Sequence, residues 1–504
     1  MKKRLLLILA IVAGSATLEA ATKCESLSNL TLANATITAA QTIEAGQFEA
    51  PARGDGQRPN FRDLPAFCRV TATLKPSNDS DIKIEVWLPV SGWNGKFRGV
   101  GNGGFAGTIG PGALAAALRR GYAAAATDTG HAGDGRDGSF ALGHPEKVID
   151  FGYRAVHEMT VKAKTILAAY YGGEARLSYW VGCSTGGRQG LKEAQKYPED
   201  YDAIVAGAPA APTTELVVHA IDIAQAVHKN ESSYIDPALY PVIHSAVLAV
   251  CDAQDGVKDG VLEHPRMCKF DPKALQCKAG ADPATCLSAA QVEAAQAIYG
   301  GARNPRTKQL IAPGLEPGSE LEWSGLAGPE PLFYANGFWK YIAFKDPGWN
   351  YKTLNMETAL ALAEKTDSGT ITATDPNLKR FFARGGKLLQ YHGWSDQLIV
   401  PGYSISYYDK VRDTTGDTGT VSDSYRLFMV PGMAHCGGGE GPNSFDTLSA
   451  LEQWKEHGKA PDQIIASRLR NGVVERTRPL CPYPQVAVYK GTGSTDDASN
   501  FACK

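Results

Sequence analysis

The sequence LSYWVGCSTGGRQGLKEAQKY, residues 177–197, decides the fold that we expect for this chain. Its first part, Leu177–Val181, is a short apolar run typical of a buried strand, and Gly182 ends that run. A helical pattern begins just after Ser184 and continues through Gly190–Tyr197. A strand, a glycine-flanked turn and a helix are the surroundings that lift a serine hydroxyl above the edge of a sheet. We therefore predict that Ser184, in the only Gly-x-Ser-x-Gly of the chain, is a nucleophile rather than part of an ordinary glycine-rich turn.

A nucleophilic serine needs a base, and the base needs an acid that orients it. After a strand–turn–helix of this kind, the acid and the base follow the serine in that order, on loops after later strands. Asp396 follows the predicted strand Lys387–Tyr391, and His435 follows the predicted strand Tyr425–Val430. We expect these two residues and Ser184 to form a catalytic triad.

Two further histidines lie near these motifs, but neither has the position of the base. His392 precedes the predicted acid and lies too close to the strand end, and His131 precedes the nucleophile. We expect both to hydrogen-bond loops near the site.

Acyl transfer also needs N–H groups that stabilise the developing oxyanion. One should be the backbone N–H of Thr185, which directly follows the nucleophile. The second should come from the glycine-rich loop Gly101–Gly104, where either Gly103 or Gly104 fits. This loop also half-resembles a dinucleotide fingerprint, but we place no ribose-binding acid after it, so we expect no organic cofactor.

Strands and helices alternate through about residue 210, which is typical of a doubly wound, mostly parallel sheet. The predicted strands are Ile82–Leu88, Phe97–Val100, Tyr122–Ala126, Leu177–Val181, Ala203–Ala206, Lys387–Tyr391 and Tyr425–Val430. The pattern breaks in residues 211–377, which hold four cysteines, many Pro and Gly residues and irregular helical stretches. We predict an α/β-hydrolase fold made of residues 22–210 and 378–504, with residues 211–377 inserted as a large lid domain.

The first 21 residues have the pattern of a secretory signal peptide. Lys2, Lys3 and Arg4 precede the apolar run Leu5–Val12, and small residues follow at its exit. The apolar run is too short to span a bilayer, which takes about 20 residues. With a net charge of −2 over 504 residues, nothing favours a nucleic-acid or membrane partner. We expect a secreted or periplasmic protein.

Export changes the interpretation of the 10 cysteines, because an even number in an oxidising compartment indicates disulfides. Three pairs are close in sequence and easily closed: Cys251/Cys268, Cys277/Cys286 and Cys481/Cys503. Cys183 directly precedes the predicted nucleophile and Cys436 directly follows the predicted base. If the serine and the histidine are in contact, their neighbours are close enough to bridge, which we favour over two buried thiols.

Three carboxylates, Asp252, Asp255 and Asp259, lie in a short glycine-bearing loop between Cys251 and Cys268. Carboxylates this close repel one another unless a hard cation lies among them, and backbone carbonyl groups, such as those of Val257 and Val261, would complete an oxygen shell for Ca²⁺. The spacing is not that of an EF-hand. From the pattern alone, a solvated Asp/Gly turn is as good an interpretation as a metal site.

Taken together, these motifs resemble those of the tannase and feruloyl esterase family. The resemblance covers most of the mature chain, in the order Gly101–Gly104, Asp128–His131, Gly182–Arg188, His392–Asp396, Gly432–Cys436 and Arg476–Pro484. The most specific feature is a cysteine beside both the serine and the histidine. The resemblance implies a disulfide between Cys183 and Cys436, a further pair Cys24/Cys68, and a structural Ca²⁺ held by Asp252, Asp255, Val257, Asp259 and Val261.

The resemblance also implies a substrate class, small esters of aromatic acids, derived from plant walls or tannins. These are hydroxycinnamates, gallates or, in one branch, mono(2-hydroxyethyl) terephthalate. That branch has an acidic and an aromatic residue where this chain has Thr185 and Ile399, so the terephthalate is the less favoured alternative. The predicted lid holds eight aromatic residues, of which we expect two or three to contact substrate and the rest to form lid core: Phe333, Tyr334, Phe338, Trp339, Tyr341, Phe344, Trp349 and Tyr351.

We therefore predict a secreted serine carboxylic-ester hydrolase that works through an acyl-enzyme. A serine peptidase on the same fold is a rival, because a triad does not by itself select esters over amides. A non-catalytic binding module derived from a hydrolase is a rival of another class, which the complete triad of Ser184, Asp396 and His435 argues against.

Overall fold

The computed structural model describes residues 22–50, 59–416 and 419–504. The predicted signal peptide, residues 1–21, lies outside the described residues. The main feature is a nine-stranded sheet. Its strands are β1 (Ala35–Ile43), β2 (Phe67–Leu74), β3 (Ile82–Pro89), β4 (Lys96–Val100), β5 (Ala123–Thr127), β6 (Leu177–Cys183), β7 (Ala203–Gly207), β8 (Lys387–Gly393) and β9 (Tyr425–Val430). They lie side by side in the order β1-β2-β3-β5-β4-β6-β7-β8-β9.

The seven strands predicted from sequence are β3 to β9, with ends that differ by one or two residues. The pairings among β4 to β9 are parallel, whereas β1, β2 and β3 are joined to one another, and β3 to β5, in antiparallel fashion. The sheet is therefore mostly parallel, as predicted, but the first two strands were missed. Two small hairpins near the C-terminus pair β10 (Ile464–Arg470) with β11 (Val473–Leu480) and β12 (Ala487–Tyr489) with β13 (Phe501–Cys503).

Helices cover both faces of the sheet. Leu114 and Trp454 lie in helices 111–118 and 447–457 and belong to the core on one face. Met159 and Leu191 lie in helices 155–171 and 185–196 and belong to the core on the other face. The α-helices of the described chain are α1 (Pro111–Leu118), α2 (Pro145–Ile149), α3 (Ala155–Tyr171), α4 (Thr185–Lys196), α5 (Thr213–Val227), α6 (Tyr240–Cys251), α7 (Ala289–Gly300), α8 (Ser324–Ala327), α9 (Phe333–Gly337), α10 (Ala359–Asp367), α11 (Lys379–Ala383), α12 (Gly402–Thr415), α13 (Thr420–Ser424) and α14 (Thr447–His457).

The structure describes every residue between β7 and β8. Within this part of the chain, the segment 211–377 adds no strand to the main sheet. Its helices pack on one another around a separate core, to which Val217, Ile243, Ile298 and Trp339 contribute. We keep the name lid segment for residues 211–377. Its exact boundaries remain a prediction.

One stretch of the lid segment, Glu231–Asp255, is long and apolar enough to cross a membrane by length and composition alone. It is a succession of 3-10 turns and α6 rather than one continuous α-helix. Ile235, Tyr240 and Ile243 are buried in the core of the lid segment, and 39% of the apolar window is buried within the protein.

Candidate active site

Ser184 lies at the turn between β6 and α4, where the strand ends at the carboxyl edge of the sheet. Its backbone has φ +62° and ψ −124°, a strained conformation for a residue with a side chain. The turn closes tightly because Gly182 faces Gly186: a Cβ on Gly182 would lie 2.5 Å from the carbonyl group of Gly186. The two glycines of the motif thus permit the sharp turn that presents the serine hydroxyl.

Asp396 and His435 lie beyond the carboxyl ends of β8 and β9 and are in contact. The Nδ1 atom of His435 is 2.8 Å from Oδ2 of Asp396. Because a carboxylate can only accept, Nδ1 carries the proton and Nε2 is left to accept one from a serine. His435 and Ser184 line one cavity, so the structure brings together the three residues that the sequence predicted.

The charges of this pair reinforce each other. Burial raises the pKa of Asp396, but the nearby charge of His435 and hydrogen bonds from His392 and His435 outweigh it and hold that pKa well below its ordinary value. Burial lowers the pKa of His435, but the charge and hydrogen bond of Asp396 outweigh it and raise that pKa above 6.5. Asp396 is therefore ionised and can stabilise a positive charge on the imidazole ring of His435.

His392 contacts the side chain of Asp396, whereas the sequence predicted only loop contacts for it. It is fully buried, with Nε2 at 2.7 Å from the carbonyl oxygen of Ile399 and 3.2 Å from Oδ2 of Asp396. Its Nδ1 atom is 2.6 Å from the hydroxyl of Ser404, which also accepts from Gln390. Since the carbonyl needs a donor, Nε2 carries the proton and Nδ1 accepts from Ser404. His392 is thus a positioning residue for Asp396, a role that its sequence position alone did not reveal.

Three backbone N–H groups are free to bind an oxyanion. Within the part of the chain that the structure describes, the N–H groups of Gly103, Gly104 and Thr185 have no hydrogen-bond acceptor. All three residues line the cavity with Ser184. Their neighbours in the loop are engaged: the N–H of Asn102 donates to Gln189, and the N–H of Phe105 donates to the carbonyl oxygen of Gly135. The geometry therefore leaves both glycines as candidates, as the sequence did.

The glycine-rich loop is fixed to α4 by side chains. The hydroxyl of Thr185 donates to the carbonyl oxygen of Gly104 at 2.6 Å. One turn further along α4, Gln189 accepts from the backbone of Asn102 and donates to its side chain. A Cβ on Gly101 would lie 2.5 Å from Cα of Gly186, so loop and helix touch backbone to backbone.

The cavity above Ser184 has a volume of about 320 Å³, within the usual range for sites of small ligands. Its walls are mainly apolar and come from the lid segment and from the loop after β8: Leu216, Leu332, Phe333, Tyr334, Leu398 and Ile399. Of the eight lid aromatics considered in the sequence, Phe333 and Tyr334 line this cavity. Phe338 and Trp339 are fully buried in the lid core instead.

His131 is not part of this cavity lining. It is buried and stacks on Phe140 with ring centroids 3.6 Å apart, and burial lowers its pKa to about 4. Its neutral ring is packing for the loop after β5. This agrees with the expectation that it is not the base. The hydrogen bonds to nearby loops that we expected are not seen, since neither ring nitrogen has a hydrogen-bond partner among the described residues.

Comparison with known proteins shows the family to which this chain belongs. The family model described as tannase and feruloyl esterase matches residues 68–504. The chain belongs to the tannase and feruloyl esterase family. It is a carboxylic ester hydrolase with the α/β-hydrolase fold.

Relatives support the assignment over nearly the whole length. An uncharacterized esterase of Xanthomonas campestris pv. campestris is 38% identical over 97% of this chain and 92% of its own. A probable feruloyl esterase B-2 of Aspergillus terreus is 34% identical over 86% of each chain. The crystal structure of feruloyl esterase B from Aspergillus oryzae superposes with a TM-score of 0.89 at 31% identity, covering 95% of this chain and 99% of the other. The tannin acyl hydrolase of Aspergillus niger shares the fold, with a TM-score of 0.76 at 21% identity over 94% and 92% of the two chains.

The esterase contains all five disulfides expected for it. They join Cys24 to Cys68, Cys183 to Cys436, Cys251 to Cys268, Cys277 to Cys286 and Cys481 to Cys503. The pair Cys183–Cys436 spans 253 residues of sequence and joins the serine loop directly to the histidine loop. Their Cα atoms are 6.0 Å apart, a normal separation for a disulfide.

The acidic loop of the esterase is ordered by its own backbone. Asp252 accepts from the N–H groups of Asp259 and Gly260, and Asp255 accepts from those of Val257 and Glu263. Burial, together with repulsion from the neighbouring carboxylates, raises the pKa of Asp255. A cation bound among these carboxylates would relieve the repulsion. Three carboxylates and two carbonyl groups are hard oxygen donors, which fit Ca²⁺.

Arg476 and Arg478 belong to one of the family motifs in the sequence, which assigned them no role. In the structure both form ion pairs with the acidic loop. Both guanidinium groups pair with Oδ2 of Asp259, at 3.1 Å for Arg476. Arg476 also donates to the carbonyl oxygen of Asp259. The C-terminal hairpin is thereby joined to the acidic loop, more than 200 residues earlier in the sequence. Only their presence in a motif far from the other chemistry hinted at this role.

Proposed function

We propose that this esterase hydrolyses esters of aromatic carboxylic acids through a Ser–His–Asp triad and an acyl-enzyme, as feruloyl esterases and tannases do. One observation carries the proposal. Ser184 and His435 line a single apolar cavity with the free N–H groups of the glycine-rich loop and Thr185, and Asp396 holds the histidine.

In the first step, Nε2 of His435 takes the hydroxyl proton of Ser184 while Oγ attacks the ester carbonyl carbon. The carbonyl oxygen becomes an oxyanion and accepts hydrogen bonds from the N–H of Thr185 and from the glycine-rich loop. The imidazolium, stabilised by Asp396, then gives its proton to the departing alkoxide oxygen as the C–O bond breaks. This leaves an acyl-enzyme and the free alcohol.

In the second step, His435 takes a proton from a water molecule, whose oxygen attacks the acyl carbon. The second oxyanion is held by the same N–H groups. Its collapse breaks the bond to Oγ, and the imidazolium returns the proton to Ser184 as the acid leaves. No redox or metal-dependent step is needed.

The aromatic acid is assigned from the cavity walls. Phe333 and Tyr334 line the cavity beside the nucleophile, and aromatic pairs contribute beyond their buried area. Thr185 and Ile399 both line the same cavity, at the positions where the terephthalate branch has an acidic and an aromatic residue. This supports a hydroxycinnamate or gallate ester over the terephthalate half-ester.

The test is hydrolysis of a panel by the purified mature chain: methyl ferulate, methyl gallate, mono(2-hydroxyethyl) terephthalate, a short aliphatic nitrophenyl ester and ferulic amide. We expect kcat/KM to be highest for one of the first two esters. Preference for the aliphatic ester would overturn the aromatic assignment, and preference for the amide would favour a peptidase. An organophosphate probe should label the wild type but not Ser184→Ala; an unlabelled wild type would favour a non-catalytic module.

We also propose that the acidic loop binds a structural Ca²⁺ through the carboxylates of Asp252, Asp255 and Asp259 and the carbonyl oxygens of Val257 and Val261. The chemistry of these donors supports the assignment. A bound ion would offset the charge of a partly buried loop in which Arg476 and Arg478 pair with Asp259. Its role would be to stabilise the junction between the lid segment and the C-terminal hairpins, away from Ser184.

Finally, we propose that the chain is exported. Five disulfides are typical of an oxidising compartment, and the basic and apolar pattern of residues 1–21 is that of a signal peptide. Fractionation of cells expressing the full chain, with mass measurement of the mature N-terminus, tests this: cytoplasmic, uncleaved protein would overturn it.

A further inference from the structure

A second cluster of ligating side chains lies outside the catalytic cavity. His157 on α3, Glu193 on α4 and Asp200 in the loop before β7 each offer one ligand atom, and these atoms lie within 4.8 Å of one another. Among the described residues, this is the one such group of three. Glu193 follows Ser184 by nine residues along α4, which is about 13 Å, and no member of the cluster lines the catalytic cavity.

Glu193 is the member that needs a ligand. It is 1% exposed, and neither of its carboxylate oxygens has a hydrogen-bond partner. The nearby ammonium group of Lys164 donates to the backbone oxygen of Asp200 instead. A buried carboxylate is costly unless a donor or a cation compensates it, and here a second carboxylate lies beside it.

His157 is held in the orientation of a ligand. Its ring stacks on Tyr197 with centroids 3.7 Å apart, and its Nδ1 atom is 2.6 Å from Oδ2 of Asp200. The side chain is 25% exposed, whereas that of Asp200 is 7% exposed. The histidine therefore forms the outer side of the cluster, where an ion could enter from solvent.

We propose that His157, Glu193 and Asp200 form a second metal site, which binds a divalent first-row transition ion such as Zn²⁺. One imidazole nitrogen and two carboxylate oxygens are ligands that these ions accept. An ion with two positive charges neutralises the two carboxylates. Neighbouring ligands of an ion with bonds of about 2.1 Å lie about 3.0–3.4 Å apart, so the imidazole would move outward slightly from Asp200.

The competing explanation is a proton. Burial, with Asp200 next to it, raises the pKa of Glu193 well above its ordinary value, so a proton shared by the two carboxyl groups would also relieve the repulsion. The two explanations differ in one measurable respect: only the metal site binds an ion with a stoichiometry and affinity that depend on Glu193. The ion would join α3, α4 and the loop before β7, so its effect should be on stability rather than on the esterase reaction.

The experiment uses the full mature chain, freed of metals with a chelator and then supplied with excess Ca²⁺ so that the acidic loop does not compete. Zn²⁺ is titrated at pH 7.5 by calorimetry, and bound Zn²⁺ is counted by mass spectrometry after gel filtration. The variants are Glu193→Gln, which keeps the shape, and His157→Gln at the more exposed position. Glu158→Gln is the matched control, since Glu158 is next to His157 on α3 but pairs with Lys162.

We expect wild type and Glu158→Gln to bind one tight Zn²⁺ that raises the unfolding temperature. Glu193→Gln and His157→Gln should bind it at least about 100-fold more weakly while keeping the esterase activity. Co²⁺ should give a visible absorption band in wild type that is absent in Glu193→Gln. If wild type binds no Zn²⁺ beyond what Glu193→Gln binds, the metal site is refuted and the shared proton is the explanation. This outcome is independent of the proposed esterase mechanism.

Discussion

The hydroxyl of Thr185 donates a hydrogen bond of 2.6 Å to the carbonyl oxygen of Gly104. The residue after the nucleophile therefore supplies one free N–H from its own backbone and fixes, through its side chain, the loop that supplies the other. The proposed oxyanion donors are thus positioned relative to each other before substrate binds, which is the condition for strong electrostatic stabilisation.

Replacing Thr185 tests this arrangement. Thr185→Val keeps the shape but removes the donor, so the carbonyl oxygen of Gly104 loses its hydrogen bond to α4 and the loop is held less firmly against the helix. We expect kcat to fall about 10–100-fold with little change in KM, because the loss concerns the transition state. Thr185→Ser should restore most of kcat. An equal fall for both variants would mean that the methyl group matters and the hydrogen bond does not.

Replacing Asp396 with Asn should change both the rate and its pH dependence. Asn can still accept from the N–H groups of Leu398 and Ile399, but it stabilises the wrong tautomer of His435. We expect kcat to fall about 10⁴-fold.

The pH profile of kcat/KM provides an independent check on Asp396. The base must be neutral, so activity is lost as pH falls through the pKa of His435, which Asp396 raises above 6.5. In Asp396→Asn the acidic limb should therefore move to lower pH. A limb that stays in place would show that Asp396 does not set this pKa.

His392 should matter for both stability and catalysis, although it is not expected to touch substrate. His392→Phe fills the space but leaves Ser404 and the carbonyl of Ile399 without their partner. We expect about 1–3 kcal/mol less unfolding free energy and a roughly 10-fold lower kcat at unchanged KM. Urea unfolding and steady-state kinetics measure these effects. Ser404 contacts Asp396 only through His392. Ser404→Ala should therefore lower stability with a smaller change in kcat.

Removing the disulfide between the catalytic loops should weaken the site more than removing one elsewhere. The double variant Cys183→Ala/Cys436→Ala opens a link that spans 253 residues, so we expect a loss of about 2–5 kcal/mol in stability and a clear fall in kcat. The matched control is Cys277→Ala/Cys286→Ala, a link of 9 residues in the lid segment. If both pairs lower kcat equally, the bridge has no special role in aligning Ser184 and His435.

Removing Ca²⁺ should lower stability without disabling the triad. We expect a chelator to lower the unfolding temperature by several degrees, because a ligand that binds only the folded chain stabilises it by mass action. The experiment is done on Glu193→Gln, which lacks the second proposed metal site, and scanning calorimetry should show recovery on adding Ca²⁺ but not on adding Zn²⁺. In that background, adding Asp255→Asn should lower the stability and leave the protein nearly insensitive to the chelator; a variant with the full Ca²⁺ response would remove Asp255 from the ligand set.

Much of the fold and of the proposed triad could be predicted because the signals are local. The run before Ser184, the glycines around it and the helix after it fix a turn within about ten residues. The order of Asp396 and His435 after later strands then follows from the topology. β1 escaped prediction because its residues are largely exposed and rich in Ala and Thr. β2 was also missed, although its residues alternate between buried and half-buried positions as a strand pattern requires.

The sequence by itself determined the strand–turn–helix at Ser184, the chain order of the triad and the cysteines beside its serine and histidine, because each depends on neighbouring residues. The tertiary structure alone decided which of the lid aromatics face the cavity, that His392 supports Asp396, and that Arg476 and Arg478 reach Asp259. It also brought Glu193 of α4 and Asp200 of the following loop beside His157 of α3. These are contacts between side chains far apart in the chain, and burial or charge pairing selects them only once the whole chain has packed.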